Sequence, residues 1–556
     1  MNNEWWQKGT VYQIYPRSFY DTNGDGIGDI RGIIEKLDYL AKLGVDLLWL
    51  TPMYVSPQRD NGYDIADYFD IDPQYGTMAD FDELLEKAHQ RGLKIMMDMV
   101  VNHTSYQHHW FQEALKGKDN PYRDYYIWKD PAADGGPPNN WLSKFSGSAW
   151  ELDEASGQYY LHLYEVGMPD LNWENPKLQE EIYNMMAWWG EKGIDGFRLD
   201  VINNISKNPD FPNDSLATAQ DDGRKFYVDG PHVHEYLHQM NRHVFDKYGL
   251  VTVGEMSSTT PEQCIKYTNP AREELSMVFN FHHMKVDYPG GKKWASAKFQ
   301  LTDLKRIMAE WQLKMAAGGG WNALFWTNHD QPRALARFAN DTVYREQSAK
   351  LLAIILFGLQ GTTFIYQGEE IAMTDANFTD ISQYDDAESR NAYAHLLADG
   401  VTAADALQIL REKSRENARI PMQWDDTPHH GFTSGEPWLA PIHEDNWTVD
   451  KALANPDSIF YTYQHLIALR REHAIFANGD FRLLDAESEV IYDYAREWQN
   501  EALVVVGNFS EKEMTWHVPE QYQNKDCAIL ASNYGRETLE NQVTLQPYEA
   551  LMLHLK

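Results

Sequence analysis

The stretch KIMMDMVVNH, residues 94–103, is an apolar run that ends in polar residues. A nearly continuous apolar run of this length is typical of a strand that is buried on both faces of a parallel sheet. Asp98 interrupts the run, and Asn102 and His103 follow it. A buried parallel strand with polar side chains at its carboxyl end predicts an α/β fold with a site at that edge.

Seven further runs repeat this pattern along the chain. Most are followed by a stretch with helical periodicity, such as DFDELLEKAHQRG at 80–92. Eight strands that alternate with helices predict a (β/α)8 TIM barrel. The eight runs are VYQIYP (11–16), LLWLTP (47–52), KIMMDMVV (94–101), GFRLDV (196–201), VTVGE (251–255), MVFNF (277–281), ALFWTNHD (323–330) and TTFIYQGEE (362–370).

Two segments depart from this alternation. The stretch PAADGGPPNNWLSKFSGSAW at 131–150 lies between the third and fourth runs and is too rich in Gly and Pro for one crossover helix. We therefore predict a subdomain at 104–173, inserted after the third strand. Short alternating segments at 481–556 predict an all-β C-terminal domain, a β-sandwich. The catalytic barrel is then formed by 1–103 and 174–480.

Charge and cysteine content disfavour several classes of protein. With 49 Lys and Arg against 83 Asp and Glu, the net charge of −34 repels nucleic acids and anionic lipids. The sequence shows no signal-peptide pattern and no apolar stretch long enough to span a membrane. Cys264 and Cys527 lack metal-ligand spacing, as expected in a reducing compartment. We expect a cytoplasmic monomer or weak homodimer with no nucleic-acid or membrane partner.

Acidic residues recur at the predicted carboxyl ends of strands. Asp200 is the second-last residue of the fourth run, and Glu255 and Asp330 end the fifth and seventh runs. A single Asp after a strand is more often a helix cap, but capping does not explain acids on several strands whose ends meet at one rim. Two carboxyl groups suit glycosidic cleavage, in which one protonates the leaving oxygen and the other binds the oxocarbenium-like sugar. Arg198 would keep Asp200 ionised.

Four stretches of the chain resemble the signature stretches of the α-amylase superfamily (glycoside hydrolase family thirteen), a large retaining α-glucoside family. They are DMVVNHTS, GFRLDVIN, TVGEM and TNHDQPR, and the resemblance covers nearly the whole chain. It implies that Asp200 is the nucleophile, Glu255 the general acid and base, and Asp330 the carboxylate that binds and distorts the sugar. The other residues that it implies in this pocket are Asp98, His103, Arg198 and His329.

Narrower features are similar to the oligo-1,6-glucosidase and dextran glucosidase branch of that superfamily. Tyr63 corresponds to a stacking platform for the terminal glucose. RENARIPMQWDD at 415–426 is similar to a stretch in which an arginine pairs with an aspartate to close the far end of the pocket. That aspartate is Asp60, and the arginine is Arg419 or, as the alternative, Arg415. A pocket closed in this way accepts only a chain end, which implies exo-action.

Val201 directly follows the implied nucleophile. The resemblance associates this residue with α-1,6 specificity, since a branched side chain there would crowd a 1,4-linked ring. One or two methyl groups shift such preferences by only about 1–3 kcal/mol. The expected protein is a retaining exo-α-glucosidase that releases glucose from terminal α-1,6 bonds of small oligosaccharides: isomaltose, isomalto-oligosaccharides and panose.

Departures from the branch leave the substrate range open. Met168 replaces an amide, Tyr164 a phenylalanine and Thr363 a proline. Alternatives are an α-1,4-glucosidase of mixed specificity and a trehalose-phosphate hydrolase, although the negative charge disfavours a phosphorylated substrate unless local pocket charge overrides it. A transglucosylase or sucrose isomerase is disfavoured, because 285–299 contains no arginine. A non-catalytic relative would lack part of the acid triad, which is complete here.

The stretch DTNGDGIGDI, residues 21–30, places oxygen-bearing side chains at alternate positions. It is compatible with a hard cation or with a turn rich in Asp and Asn that holds no metal. A calcium sensor is disfavoured, since Gly32 stands where an EF-hand needs Glu. The resemblance implies one structural Ca²⁺, with Mg²⁺ as the alternative cation. Its implied ligands are Asp21, Asn23, Asp25, the Ile27 carbonyl and Asp29.

Overall fold

Eight parallel strands form the central sheet of the protein. The computed structural model describes residues 4–215, 217–218, 220–442 and 446–556, so that 1–3, 216, 219 and 443–445 of the predicted barrel segments lie outside the described residues. In chain order the barrel strands are β1 Thr10–Ile14, β2 Leu47–Leu50, β3 Lys94–Val100, β4 Gly196–Asp200, β5 Val251–Glu255, β6 Met277–Phe279, β7 Ala323–Leu324 and β8 Thr362–Tyr366.

The sheet closes into a barrel. Each strand from β1 to β6 pairs in parallel with the next, β7 pairs with β8, and β8 pairs with β1. A single parallel bridge between Val278 and Asn322 joins β6 to β7. This confirms the predicted TIM barrel. Strand β7 ends earlier than the predicted run, at Leu324, and further along Asn328 accepts the N–H of Asp330 in a turn.

Helices follow the barrel strands on the outside of the sheet. The helix that begins at Met78 shows why they start where they do: Thr77 and Asp80 form a capping box, and Phe81 and Leu84 turn inward. The barrel helices are Ile30–Glu35, Leu37–Leu43, Met78–Gln90, Pro176–Lys192, Val233–Met240, Pro261–Thr268, Leu301–Ala317, Arg345–Phe357 and Ile459–Glu472. Further helices are Trp5–Lys8, His109–Ala114, Asp246–Tyr248, Ala334–Phe338, Ala387–Ala398, Ala403–Lys413, Val449–Ala454 and Ile475–Asn478.

Aromatic side chains from even-numbered strands fill the barrel interior. The Phe279 ring lies 5.5 Å from the Trp49 ring and 4.6 Å from the Phe364 ring. Arg198 of β4 lies over Trp49, 5.1 Å from the ring centroid. In such barrels each interior layer is filled by side chains from alternate strands. Arg198 belongs to the layer nearest the rim, so its guanidinium faces the rim.

Two smaller sheets lie outside the barrel. In the segment 104–173, Gln158–Leu161 pairs antiparallel with Trp128–Lys129 and Trp150–Asp153. Near the barrel, Tyr54–Val55 pairs with Asp67–Ile71. Among the helices of the described residues, none combines the length and apolar composition that crossing a membrane requires.

The C-terminal region is all-β, as predicted. A five-stranded antiparallel sheet faces a two-stranded one across a separate apolar core that includes Val504, Trp516 and Leu553. The strands of the larger sheet, in spatial order, are Asp480–Leu483, Ile491–Trp498, Glu501–Asn508, Ala550–Leu555 and Cys527–Ser532, and those of the smaller are Met514–His517 and Gln542–Leu545.

A buried lysine ties the barrel to this domain. Lys305, on the helix after β6, is fully buried and its Nζ donates to the carbonyls of Asp485, Ser488 and Ile491 at 2.7, 2.6 and 3.0 Å. Burial lowers the pKa of Lys305. Unpaired buried acceptors cost about 1–3 kcal/mol each, so the ammonium satisfies groups that would otherwise oppose docking of the two units.

Replacing Lys305 by Met should lower the midpoint of thermal unfolding by several degrees, because three carbonyls lose their donor while the apolar stem is kept. The control is Lys314→Met on the same helix, since Lys314 is half-exposed and pairs only with surface glutamates. Equal midpoints for the two variants would contradict the role of Lys305.

Candidate active site

Three acids meet around one arginine at the rim formed by β3, β4 and β5. Arg198 Nη1 lies 2.7 Å from Asp200 Oδ1 and 2.8 Å from Asp98 Oδ1, and Nη2 donates to Glu255 Oε2. Asp200 and Glu255 are the last residues of neighbouring strands. The two predicted catalytic acids therefore lie side by side on one guanidinium.

Burial controls the ionisation of these acids. Asp200 is 7% exposed and Asp98 is completely buried. Burial raises the pKa of Asp200 well above its ordinary value despite Arg198, and the charge of Glu255 adds to the increase. Burial also raises the pKa of Asp98 to about 6, although Arg198 opposes this increase. The sequence-based expectation that Arg198 keeps Asp200 ionised omitted the opposing effect of burial.

Asp330 lies in the turn after β7, beside two arginines. Its Oδ1 is 3.2 Å from Arg415 Nη1 and 3.0 Å from Arg419 Nη2. Burial would raise the pKa of Asp330, but the neighbouring His329, Arg415 and Arg419 hold it well below its ordinary value. Asp60 bonds to Arg415 Nη2 at 2.8 Å. The preference for Arg419 as the partner of Asp60 was wrong, because Arg419 donates instead to Asp330 and to the His329 carbonyl.

Asp386 completes this cluster and was missed in the sequence. Its Oδ1 accepts from Arg415 Nη2 at 2.7 Å and Nε at 2.9 Å, and lies 3.7 Å from Arg419 Nη1. Its Oδ2 accepts the Ser389 N–H and caps the helix Ala387–Ala398. A cap of this kind was the only signal in the sequence, and it predicts a helix start without indicating a pocket.

Two histidines and a tyrosine line the same pocket. The rings of Tyr63 and His329 are parallel and 5.2 Å apart, and Tyr63 Oη donates to Asp98 Oδ2 at 2.9 Å. The His103 ring lies 5.3 Å from that of Tyr164. Burial lowers the pKa of His103 to about 4 and that of His329 to about 3, so both are neutral at pH 7.

Val201 turns the chain directly after Asp200. Its φ of 37° lies in the left-handed region, which a β-branched residue rarely adopts. Its backbone N–H lies 3.4 Å from Glu255 Oε2, and the side chain is 6% exposed. Local strain of this kind persists only where the surrounding fold imposes it. Val201 therefore lies beside the acid pair, while its effect on linkage stays a prediction.

The loop at 21–29 is held by its own side chains. Asp21 is 5% exposed and accepts three backbone N–H groups of the loop, and Asp29 is 4% exposed and caps the next helix at Gly32. Neither carboxylate pairs with a Lys or Arg of the described residues. This oxygen donor set suits a hard cation. However, no three His, Cys, Asp or Glu side chains in the described part of the chain gather as a metal-binding group.

Three cations from different elements form a cationic patch, defined as Lys144, Arg224 and Lys285. Asp222 Oδ2 accepts from Lys144 Nζ at 3.1 Å and from Arg224 Nη2 at 2.7 Å. The Lys285 ammonium makes no hydrogen bond or ion pair with a described residue. Lys285 is open to solvent, yet the surrounding protein and the charge of Arg224 lower its pKa, as expected in a recess. The patch therefore combines three cations with one carboxylate, which contacts two of them.

The patch adjoins the acid cluster through the wall residue Tyr164. Next to Lys144, Ser143 Oγ donates to the Tyr164 carbonyl at 2.6 Å and the Phe145 ring lies 6.0 Å from the Tyr164 ring. Arg415 lies over Phe145, 5.2 Å from its centroid. The charges of Asp200 and Glu255 contribute to the raised pKa of Tyr164, which is chiefly due to burial.

Comparisons with known proteins agree with this geometry. The model described as "Alpha amylase, catalytic domain" matches 13–479, and "Alpha-amylase SusG C-terminal domain" matches 491–552. The chain is 53% identical to the trehalose-6-phosphate hydrolase of Bacillus subtilis (strain 168), over 99% of this chain and 98% of that protein. It is 50% identical to the oligo-1,6-glucosidase of Parageobacillus thermoglucosidasius, over 100% of both.

Among solved structures, the crystal structure of Bacillus licheniformis trehalose-6-phosphate hydrolase is similar over 100% of both chains, with a TM-score of 0.95 and 54% identity. The match to the catalytic-domain model spans most of the chain, and the relatives match it almost from end to end. These relatives are named as glucosidases or hydrolases. The chain therefore belongs to the α-amylase family of glycoside hydrolases.

Proposed function

We propose that this enzyme is a retaining, exo-acting α-glucosidase. The observation that carries the proposal is the single guanidinium of Arg198, which holds Asp200 and Glu255 side by side at the barrel rim. Two carboxyl groups held side by side can act as a nucleophile and a proton donor, which a double displacement requires. The relatives named as oligo-1,6-glucosidases support an α-glucosidase.

In the proposed first step, Asp200 attacks the anomeric carbon while Glu255 gives its proton to the leaving oxygen. In the second, Glu255 takes a proton from water, and the resulting hydroxide displaces Asp200 from the sugar. Asp330 is kept ionised by Arg415 and Arg419, so it can accept hydrogen bonds from sugar hydroxyls throughout.

The exo-action is supported by the ion pairs at the far end of the pocket. Arg415 bonds to Asp60, Asp330 and Asp386 at once, so it joins the segment before Tyr63 to the turn after β7. A pocket closed by such ion pairs has no room for a chain that continues beyond the terminal glucose. Only the non-reducing end of a substrate would enter.

Replacing Asp200 by Asn should lower kcat for 4-nitrophenyl α-glucoside by about 10³-fold or more, because the amide cannot form the glycosyl-enzyme bond. Release of 4-nitrophenol measures the rate, and the thermal midpoint shows that the fold is kept. The control is Asp130→Asn on the surface. Full activity of the Asp200 variant would contradict the assignment of Asp200 as the nucleophile.

We infer that the substrate is a phosphorylated disaccharide of the trehalose-6-phosphate class. The cationic patch has two more positive charges than its one carboxylate can neutralise, and it adjoins the wall of the acid cluster. A phosphate accepts strong hydrogen bonds from Lys and Arg. Relatives named trehalose-6-phosphate hydrolase at 53% and 52% identity support this substrate.

The second candidate is the activity expected from the sequence, hydrolysis of terminal α-1,6 bonds in isomaltose, isomalto-oligosaccharides and panose. Its support is Val201 beside the acid pair and relatives named oligo-1,6-glucosidase at 50% and 51% identity. This candidate leaves Lys285, which has no partner in the part of the chain that the structure describes, without a role. The same acid pair serves both substrates, so that the bond cleaved is decided by the acceptor side of the pocket.

The two substrates are separated by Lys285→Met. This variant should lower kcat/KM for trehalose-6-phosphate at least about tenfold, because a charge-assisted hydrogen bond is worth roughly 1.5–3 kcal/mol, and leave 4-nitrophenyl α-glucoside unchanged. The control is Lys292→Met, an exposed lysine of the same loop. Wild-type enzyme that cleaves isomaltose but not trehalose-6-phosphate would establish the second candidate instead.

We also propose that the loop at 21–29 binds one Ca²⁺, with Mg²⁺ as the alternative, through Asp21, Asn23, Asp25, the Ile27 carbonyl and Asp29. The support is two buried carboxylates without a cationic side-chain partner in a loop of oxygen donors. The ion would supply stability and take no part in bond cleavage.

Removal of divalent cations with EDTA should lower the thermal midpoint, and added Ca²⁺ should restore it, because an ion bound only by the folded state at 100-fold over its Kd adds about 2.7 kcal/mol. Asp25→Ala should lose this response, and Asp67→Ala, an exposed acid elsewhere, should keep it. A thermal midpoint that changes with neither EDTA nor Ca²⁺ would contradict the cation site and indicate a metal-free turn.

A further inference from the structure

Behind the pocket wall, a buried polar group contacts His103. Asn102 Oδ1 accepts from Lys207 Nζ at 2.8 Å, and Asn102 Nδ2 lies 3.0 Å from Asp170 Oδ1 and 3.2 Å from His103 Nδ1. Lys207 Nζ also lies 2.8 Å from Asp170 Oδ1. All four side chains are at least 95% buried.

The chemistry of these partners fixes which way the Asn102 amide points. An ammonium only donates and an ionised carboxylate only accepts, so the amide oxygen must face Lys207 and the amide nitrogen must face Asp170. The same nitrogen therefore donates to His103 Nδ1, which then carries no proton. Because His103 is neutral at pH 7, its proton lies on Nε2.

The other pocket histidine has a corresponding arrangement on the opposite side. Gln13 Nε2 lies 2.8 Å from His329 Nδ1, and His329 Nε2 lies 3.2 Å from Asp330 Oδ2. An ionised Asp330 only accepts, so the proton of His329 also belongs on Nε2 and Gln13 donates to Nδ1. The Nε2 atoms of both histidines are buried and make no hydrogen bond of good geometry with a described residue.

We propose that Asn102, oriented by Lys207 and Asp170, and Gln13 are positioning residues that fix the tautomers of His103 and His329, so that both Nε2–H groups donate to hydroxyls of the bound glucose. This inference rests on the proposed function, because it needs glucose to bind in this pocket. Two preset donors would hold the sugar without adding a charge near the acid pair. The Lys207 and Asp170 charges sit behind the wall and cancel each other.

Several groups face His103 and affect its protonation. Burial lowers its pKa, Asp170 and the Tyr63 backbone raise it, and Lys207 lowers it again. Tyr164 covers the ring, and burial keeps this tyrosine protonated. With Asn102 neutral, the imidazole stays uncharged throughout pH 5–8, so wild-type activity carries no ionisation from His103 in this range.

Asn102→Asp tests the proposal at His103. The new carboxylate would raise the pKa of His103. At a pH above that pKa it would also accept the Nδ1–H of the neutral ring, so that Nε2 would present a lone pair to the sugar instead of a proton. We expect kcat/KM for 4-nitrophenyl α-glucoside at pH 8 to fall about 10- to 100-fold relative to wild type. The loss should shrink toward pH 5, since imidazolium donates from both nitrogens. The readout is the ratio of kcat/KM of the variant to that of the wild type at each pH. Effects of ionisations that both enzymes share cancel in this ratio.

Asn102→Leu is the matched control, since it removes the donor without adding a charge, and its ratio should be low at every pH. Gln13→Glu repeats the test at His329 and applies even if Asn102→Asp does not fold, as judged by thermal unfolding. A ratio that stays flat with pH in both acidic variants would overturn the proposal. Wild-type enzyme with no α-glucosidase activity would instead overturn the proposed function.

Discussion

The hydrogen bonds from Arg198 to Asp98, Asp200 and Glu255 are the contacts on which the pocket depends. The guanidinium can reach all three because β3, β4 and β5 are neighbours in register, with Asp98 directly opposite Arg198. An arginine this deeply buried is stabilised only by well-placed acceptors, since removing one partner of a buried pair costs roughly 3–5 kcal/mol. The geometry of the acids is thus a consequence of barrel closure.

Holding three buried acids around Arg198 costs free energy, which packing elsewhere in the barrel must offset. Carboxyl groups that share one cation repel each other, and their burial disfavours the charged forms. Val201 adds a strained backbone at the adjacent position. The aromatic layer of Trp49, Phe279 and Phe364 below the rim resists relaxation, because a close-packed interior deforms little. Strain and like charge are therefore concentrated where bond cleavage uses them.

The sequence predicted those features that depend on the residues of a single strand. Eight apolar runs and the acids at their ends specify the barrel and bring Asp200 and Glu255 together, since parallel strands share a rim. The sequence did not predict which side chains from distant segments form ion pairs. Arg415 begins a short 3₁₀ helix and Arg419 directly follows it, and which one reaches Asp60 depends on how that helix docks. Asp386 and the cationic patch depend in the same way on loop placement.

Net charge and local charge act over different distances, so the net charge of the chain does not by itself exclude the proposed phosphorylated substrate. The net charge of −34 belongs to the whole surface, and salt at physiological strength screens it beyond about 8 Å. Lys285 would act at contact, in a recess where Arg224 and Lys144 oppose its protonation and no acid of the described residues pairs with it. A bound phosphate would relieve that repulsion and gain two or more charge-assisted hydrogen bonds. Under the proposed function, the excess positive charge around Asp222 therefore bears on the acceptor sugar more than the net charge does, since these groups would meet the substrate directly.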